Sequence, residues 1–251
     1  TTYFDKNFSH MGKLCLKSIK KYAKKYNFDI KLLNRISSNR PPPWNKILVI
    51  QKLFNDKKKY DFIFWIDADA VFVRFDENIK EEIKSGKDFY LVKHHTEEGD
   101  APNTGVMLIK NSKWSKDFLE EVWRKKEYTY SIGWENAAIC DLLGFYTKKN
   151  KLRSAIQKML YKLKIKNQTT KILKKLNISR LLSKSFVFLN AKSEIKSISN
   201  QDSLKRVKFL DEKWNALPAY KIKDAIIKHY PSINYEERLK RMQEDLKKSG
   251  I

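Results

Sequence analysis

Residues 62–73 read FIFWIDADAVFV, an apolar run interrupted only by Asp67 and Asp69. A strand covered on both faces is written in valine, isoleucine and aromatics. A carboxylate buried there without a partner costs several kcal/mol or neutralises itself by a pKa shift. Two of them in three residues imply that something at this point, such as a cation, a ligand or a reaction, offsets that cost.

The flanking sequence places the two acids at a strand end. SHMGKLCLKSIKKYAKKYNF (9–28) carries apolar residues at helical spacing, with a lysine-rich outer face. FDIKLLN reads as a short strand, RISSNRPPP as a loop, and WNKILVIQKLFNDK as the next helix, with Asn45 its expected N-cap. A single buried strand, YDFIFWIDADAVFV, runs into the acids. NIKEEIKSG is a short helix, FYLVKHH and TGVMLIKN are strands, SKWSKDFLEEVWRKKE is a helix opened by Ser112 or Ser115, and WENAAICDLLGFY another helix. This alternation predicts an α/β sandwich around a mostly parallel sheet, in which ligands gather at the carboxyl ends of strands. Further on, RVKFLDEKWNALP and AIIKHYPS supply strands. YEERLKRMQEDLKK is expected to be a terminal helix without chemistry, laced by Glu236–Lys240, Glu237–Arg241 and Glu244–Lys248 pairs.

With 251 residues, 41% hydrophobic and 13% aromatic, the chain can bury a sizeable core and is not disordered. We expect one domain over 1–251, including a C-terminal helical extension at 232–251. No apolar run approaches the roughly 18 residues of a membrane span, and the start TTYFDKNFSH has no signal-peptide core. Cys15 and Cys140 fit no metal spacing and read as reduced thiols of a cytoplasmic protein. The net charge of +24 favours an anionic partner. Its lysine bias argues against base-reading nucleic-acid recognition, which leans on arginine. Residues 148–185 hold thirteen Lys or Arg and no acid, with apolar residues at helical spacing. Two readings stay open there: a basic helical insertion resting on the anionic inner leaflet of a membrane, or one packed on the domain with solvated lysines.

Asp-x-Asp at a strand end suits a divalent cation, manganese or magnesium, that itself carries a diphosphate. In this setting YDFIFWIDADAVFVRFD resembles the metal-binding segment of GT-A glycosyltransferases, and in particular glycosyltransferase family 34, the galactosyl/mannosyl/xylosyltransferase group. WNKILVIQKLF ahead of it, NTGVMLIKNSKWSKDFLEEVW after it, and IIKHYPS near the end are similar to that group and fall in its order. The likeness covers most of 44–146 and the region of 229. The basic stretch and the tail lie outside it.

The resemblance implies a Rossmann-like GT-A domain that moves a hexose or pentose from a nucleotide-sugar donor, expected to be a UDP-sugar, to a glycan or lipid-linked glycan hydroxyl with retention. Asp67 and Asp69 would hold the ion with His229 as third ligand, Asp67 alternatively touching the ribose or a metal-bound water. Ala68, Asn103, Thr104, Gly105, Lys46 and Trp134 would line the donor pocket. Glu135 and Asn136 stand where the group has an acid followed by glutamine on the donor's reactive face. HYPSINY lacks the glycine and lysine that relatives use to grip the diphosphate, so that role is open.

The plainer readings stand beside these. Glu135 is also a candidate for a buried polar residue satisfied by structure, and Lys46 for a solvated lysine. The tryptophans read as core anchors, and His94 and His95 as loop or surface residues. Two other classes compete: a haloacid-dehalogenase-like phosphohydrolase with Asp67 as nucleophile and Asp69 as acid, and a basic nucleic-acid-binding protein. The first lacks a downstream acidic pair in a suitable place, and the second leaves IDADA without a purpose.

Overall fold

Alternating side chains along the strands send apolar groups to both faces of the sheet, which is why the strand sequences read as near-continuous hydrophobic runs. The computed structural model describes residues 1–33, 36, 38–96, 99–131, 133–145, 155, 158–159 and 198–251. The basic stretch predicted at 148–185 lies outside the described residues except for three positions.

A four-stranded sheet has the order β1 (Phe62–Ile66), β4 (Gly99–Lys110), β3 (Phe89–Thr96), β5 (Val207–Leu210). β1 and β3 each pair antiparallel with β4, and β5 pairs parallel with β3. Three strands therefore share one direction and β4 opposes them. The sheet is mixed, as expected, but its pairings are more antiparallel than "mostly parallel" suggests. The predicted strand around residue 30 is reduced to a single parallel bridge between Thr2 and Leu32.

Ile63 and Trp65 of β1, Phe89 and Leu91 of β3, and Met107 and Ile109 of β4 face one core. Over them lie α2 (Asn45–Phe54), α3 (Lys113–Arg124) and α4 (Trp134–Leu142). Ile66, Tyr90, Val92, Val106 and Leu108 face the other core, under α1 (Ser9–Tyr26) and α6 (Tyr235–Lys248). A short α5 (Ile198–Lys205) precedes β5. Ser112 caps α3, accepting from Ser115 N. Asn45 does not cap α2 but opens it, its Oδ1 accepting from the Ser38 hydroxyl. The predicted helix near 80 is a 3-10 turn, Ile79–Glu82. No helix among the described residues is long and apolar enough to cross a membrane.

The strand expected to run through the acids is two strands. β1 stops at Ile66, the chain turns through Asp67–Asp69, and β2 (Ala70–Phe72) joins a separate pair with β6 (Ile227–His229). That small pair is tied to α1 by Ser18, whose hydroxyl donates to Cys15 O at 2.8 Å and accepts from Phe72 N at 3.1 Å. Tyr22 of the same helix stacks on Phe72 and accepts from Ile79 N at 2.8 Å.

His94 departs from its expected surface position. It is 1% exposed and stacks on Tyr220 with centroids 5.0 Å apart. Neither ring nitrogen has a hydrogen-bond partner. Burial, assisted by the neighbouring His229 and His95, pushes its pKa down to about 4.

Ser18→Ala leaves the buried Phe72 N–H without an acceptor, and urea unfolding should show a loss of about 1–3 kcal/mol. His94 is held neutral, so the stability it contributes is complete above its unfolded pKa near 6.5 and drains away as pH falls towards 4. The urea midpoint of the wild type should therefore drop between pH 6.5 and 5, and His94→Phe, which keeps the stack, should flatten that drop.

Candidate active site

The turn after β1 is stitched down on both sides. Asp67 N donates to Gly105 O at 2.7 Å, Ala70 N to Asp67 O at 3.0 Å, and Tyr230 N to Asp69 O at 3.0 Å. The two carboxylates are half-buried at this mouth, 26% and 15% exposed, and the neighbouring Ala68 is also half-buried. β6 then brings His229 opposite Ala70. Its Nε2 lies 3.3 Å from Asp69 Oδ1 and 3.9 Å from Asp67 Oδ2.

The tautomer of His229 follows from its other nitrogen. Nδ1 donates to Asn215 Oδ1 at 2.9 Å. The Asn215 amide donates in turn to Asn103 Oδ1 at 2.9 Å, and Gly105 N donates to that same oxygen at 2.9 Å. This chain turns Nε2 towards the carboxylates, the arrangement in which a metal-ligating histidine is held by an outer partner. Gly105 has a second part in it: a Cβ there would overlap the His229 ring, all three nearest atoms being imidazole atoms closer than 3.0 Å. The glycine makes room for the histidine.

The strand register explains why these residues meet. Between Leu91 and Val92 the β3–β4 pairing jumps from Met107 to Asn103, so Thr104, Gly105 and Val106 bulge away from β3. Bulges re-aim backbone beside sites, and this one carries Gly105 under the histidine and Thr104 O towards Lys46.

Lys46 is buried, not solvated. Its ammonium lies 2.9 Å from Asp67 Oδ1, 2.9 Å from Glu135 Oε1 and 3.1 Å from Thr104 O. Burial works against that charge, yet Asp67 and Glu135 together hold the Lys46 pKa above its ordinary value. Glu135 is 3% exposed, its second oxygen is buried without a partner, and burial pushes its carboxyl up against the opposing pull of Lys46. Asn136 accepts from Thr104 N at 2.9 Å and donates to Pro102 O at 3.2 Å, clamping α4 to β4. Trp134, half-buried at the start of α4, packs against the α2–α4 core.

Three residues were not assigned to the site from the sequence, Trp65 having been read as a core anchor. Trp65 Nε1 donates to Asp67 Oδ1 at 2.7 Å; Asn215 orients His229; and Arg238 of α6 donates to Asp69 Oδ2 at 2.8 Å. The terminal helix thus reaches the site, contrary to its reading as inert. Its observed pairs are Glu237–Arg241 and Lys240–Glu244. Burial raises a carboxyl's pKa, but His229 and Arg238 outweigh it and hold Asp69 at about 2. Nothing in the tail singles out Arg238, since Arg241 is an arginine on the same helix and pairs with Glu237.

Asp67, Asp69 and His229 each offer a ligand atom, all within 4.8 Å of one another. Two hard carboxylate oxygens and an imidazole nitrogen fit manganese or magnesium. A cavity of about 540 Å³ lined by Tyr22, Phe28, Leu53, Tyr60 and Phe64 shares no residue with this cluster.

Residues 3–99 match the galactosyl transferase GMA12/MNN10 family. That span includes Lys46 and the Asp-x-Asp turn, and ends before Asn103, Glu135 and His229. Galactomannan galactosyltransferase 1 of Cyamopsis tetragonoloba is 31% identical over 110 residues, 41% of this chain and 25% of that protein. Xyloglucan 6-xylosyltransferase 1 of Arabidopsis thaliana is 33% identical over 84 residues, 31% of this chain and 18% of that protein. The chain thus matches a quarter or less of the length of these relatives. Among solved structures, a glycosyltransferase involved in glycosylation of the major capsid of PBCV-1 superposes with a TM-score of 0.58 at 13% identity, covering 97% of both chains. The chain has the GT-A glycosyltransferase fold, and its residues 3–99 are similar to glycosyltransferase family 34.

Proposed function

We propose that this protein transfers a hexose or pentose from a nucleoside diphosphate sugar, a UDP-sugar first among candidates, to a hydroxyl of a glycan or lipid-linked glycan. The observation that carries this reading is the Asp67–Asp69–His229 cluster at the mouth of a GT-A sheet, with the histidine held by Asn215 so that Nε2 faces the two carboxylates. The relatives' names supply the reaction class and its two sugars, galactose and xylose.

Asp67, Asp69 and His229 would hold manganese or magnesium, which when bound offsets charge on the leaving diphosphate. Trp65 and Lys46 fix Asp67, and Asn215 fixes His229, so the ligand set is organised before anything binds. Ala68 and Trp134, both half-buried, would line the donor pocket. Glu135 is the base an inverting reaction would use, but it is shut in and paired to Lys46. That favours retention: the acceptor oxygen bonds to the anomeric carbon on the face the diphosphate leaves, and its proton passes to a donor phosphate oxygen. Glu135 then acts from below, through the charge it shares with Lys46. Contact of 148–185 with an anionic membrane surface, and a cytoplasmic location on its inner leaflet, are proposed on composition alone.

Incubated with UDP-galactose and UDP-xylose, the protein should release sugar slowly with manganese and not with EDTA, followed by anomeric proton NMR. Asp69→Asn should lower that rate at least about 100-fold, and an equal rate in EDTA would overturn the reading. Gly105→Ala should keep the fold by circular dichroism while weakening manganese binding about 10–100-fold, since the added methyl displaces the His229 ring.

A further inference from the structure

Arg238 stands on α6, beyond the segment that matches the family. Its Nη1 donates to Asp69 Oδ2 at 2.8 Å and its Nη2 to Ile233 O at 2.8 Å. Its Nε is buried and makes no hydrogen bond. The helix that carries it is firmly seated. Met242 and Leu246 are buried in the α1-side core, and Asn234 caps the first turn. Asp245 accepts from Lys228 Nζ at 2.7 Å and from the Tyr230 hydroxyl, the two residues flanking His229. The guanidinium is therefore a fixed part of the site and not a passing surface contact.

The two oxygens of Asp69 are divided. Oδ1 faces His229 Nε2 at 3.3 Å, and Oδ2 belongs to Arg238. A divalent ion seated among Asp67, Asp69 and His229 must share Asp69 with this second cation, and the two repel at short range. A diphosphate arriving with the ion reverses the sign, because the guanidinium carries a fixed positive charge and a forked donor geometry suited to phosphate oxygens. The same positive charge that opposes the lone ion favours the ion–diphosphate pair.

We infer that Arg238 couples the two ligands: it weakens binding of the divalent ion alone and strengthens binding of the nucleoside diphosphate to the ion-loaded site. The inference rests on the reading of Asp67, Asp69 and His229 as the ion site. By linkage the coupling is reciprocal, and couplings of this kind are worth roughly 5–150-fold.

The test uses the full chain with Mn²⁺ and UDP as probes. Free Mn²⁺ is followed by electron paramagnetic resonance, and UDP binding by calorimetry at saturating Mn²⁺. Relative to wild type, Arg238→Gln should bind Mn²⁺ alone about tenfold more tightly and UDP about tenfold more weakly. Arg238→Lys, which keeps the charge, should bind Mn²⁺ alone as the wild type does. Unchanged or weaker Mn²⁺ binding by Arg238→Gln would overturn the inference, leaving Arg238 as a mere prop for the Asp69 carboxylate. A wild type that binds no Mn²⁺ with or without UDP would instead sink the ion-site reading itself, and this inference with it.

Discussion

Four segments of the chain converge on one buried ammonium. Lys46 comes from the first turn of α2, Asp67 from the end of β1, Thr104 from the β4 bulge and Glu135 from the start of α4, and the Lys46 ammonium lies within 3.1 Å of an oxygen from each of the other three. A charge taken out of water is tolerated only when its partners are placed for it, and removing one partner from such a pair is far more costly than never having buried it. The positions of α2 and α4 on the sheet are therefore fixed by electrostatics as well as by packing. The same arrangement answers why a strand would end in Asp67: the carboxylate has an indole and an ammonium waiting for it.

The second half of the site is built on close contact instead of charge. His229 can sit over β4 only because Gly105 has no side chain, and its nitrogen points inward only because Asn215 and Asn103 take up the opposite edge. Both conditions trace to the β3–β4 bulge, which takes three residues of β4 out of the pairing with β3 at the point where the histidine arrives. A regular strand there would place side chains at strict alternation and leave no floor for the ring.

Much of this was legible in the sequence, for reasons that differ from residue to residue. Asp67 and Asp69 stand out because they break an apolar run, and His229 because it ends a hydrophobic strand. The alternation of helices with strands predicted the sandwich. What was not legible is what depends on distance along the chain. Arg238 lies 169 residues from Asp69, and no local pattern on its helix marks it. Asn215 belongs to a 3-10 turn whose role appears only once His229 is in place. Gly105 was expected to admit a sugar and instead admits a side chain, a distinction that periodicity does not carry. His94 was assigned to a loop because it follows an apolar run, yet Tyr220, 126 positions on, covers it.

The two cations of the site also differ in kind, and the difference bears on how the site can work. Lys46 is a compact charge enclosed by oxygens of three residues and 4% exposed, so nothing that enters from solvent can recruit it without unpairing Glu135 or Asp67. Arg238 is a planar fork with one arm on a carboxylate and one on a carbonyl. Its bond to Asp69 can be exchanged for one to another anion at little cost, because a phosphate oxygen replaces a carboxylate oxygen. The site thus pairs one permanent counter-charge, which holds the fold together beneath Asp67, with one transferable counter-charge beside Asp69. Sequence likeness alone would have found the first, since it lies within residues 3–99, and would have missed the second.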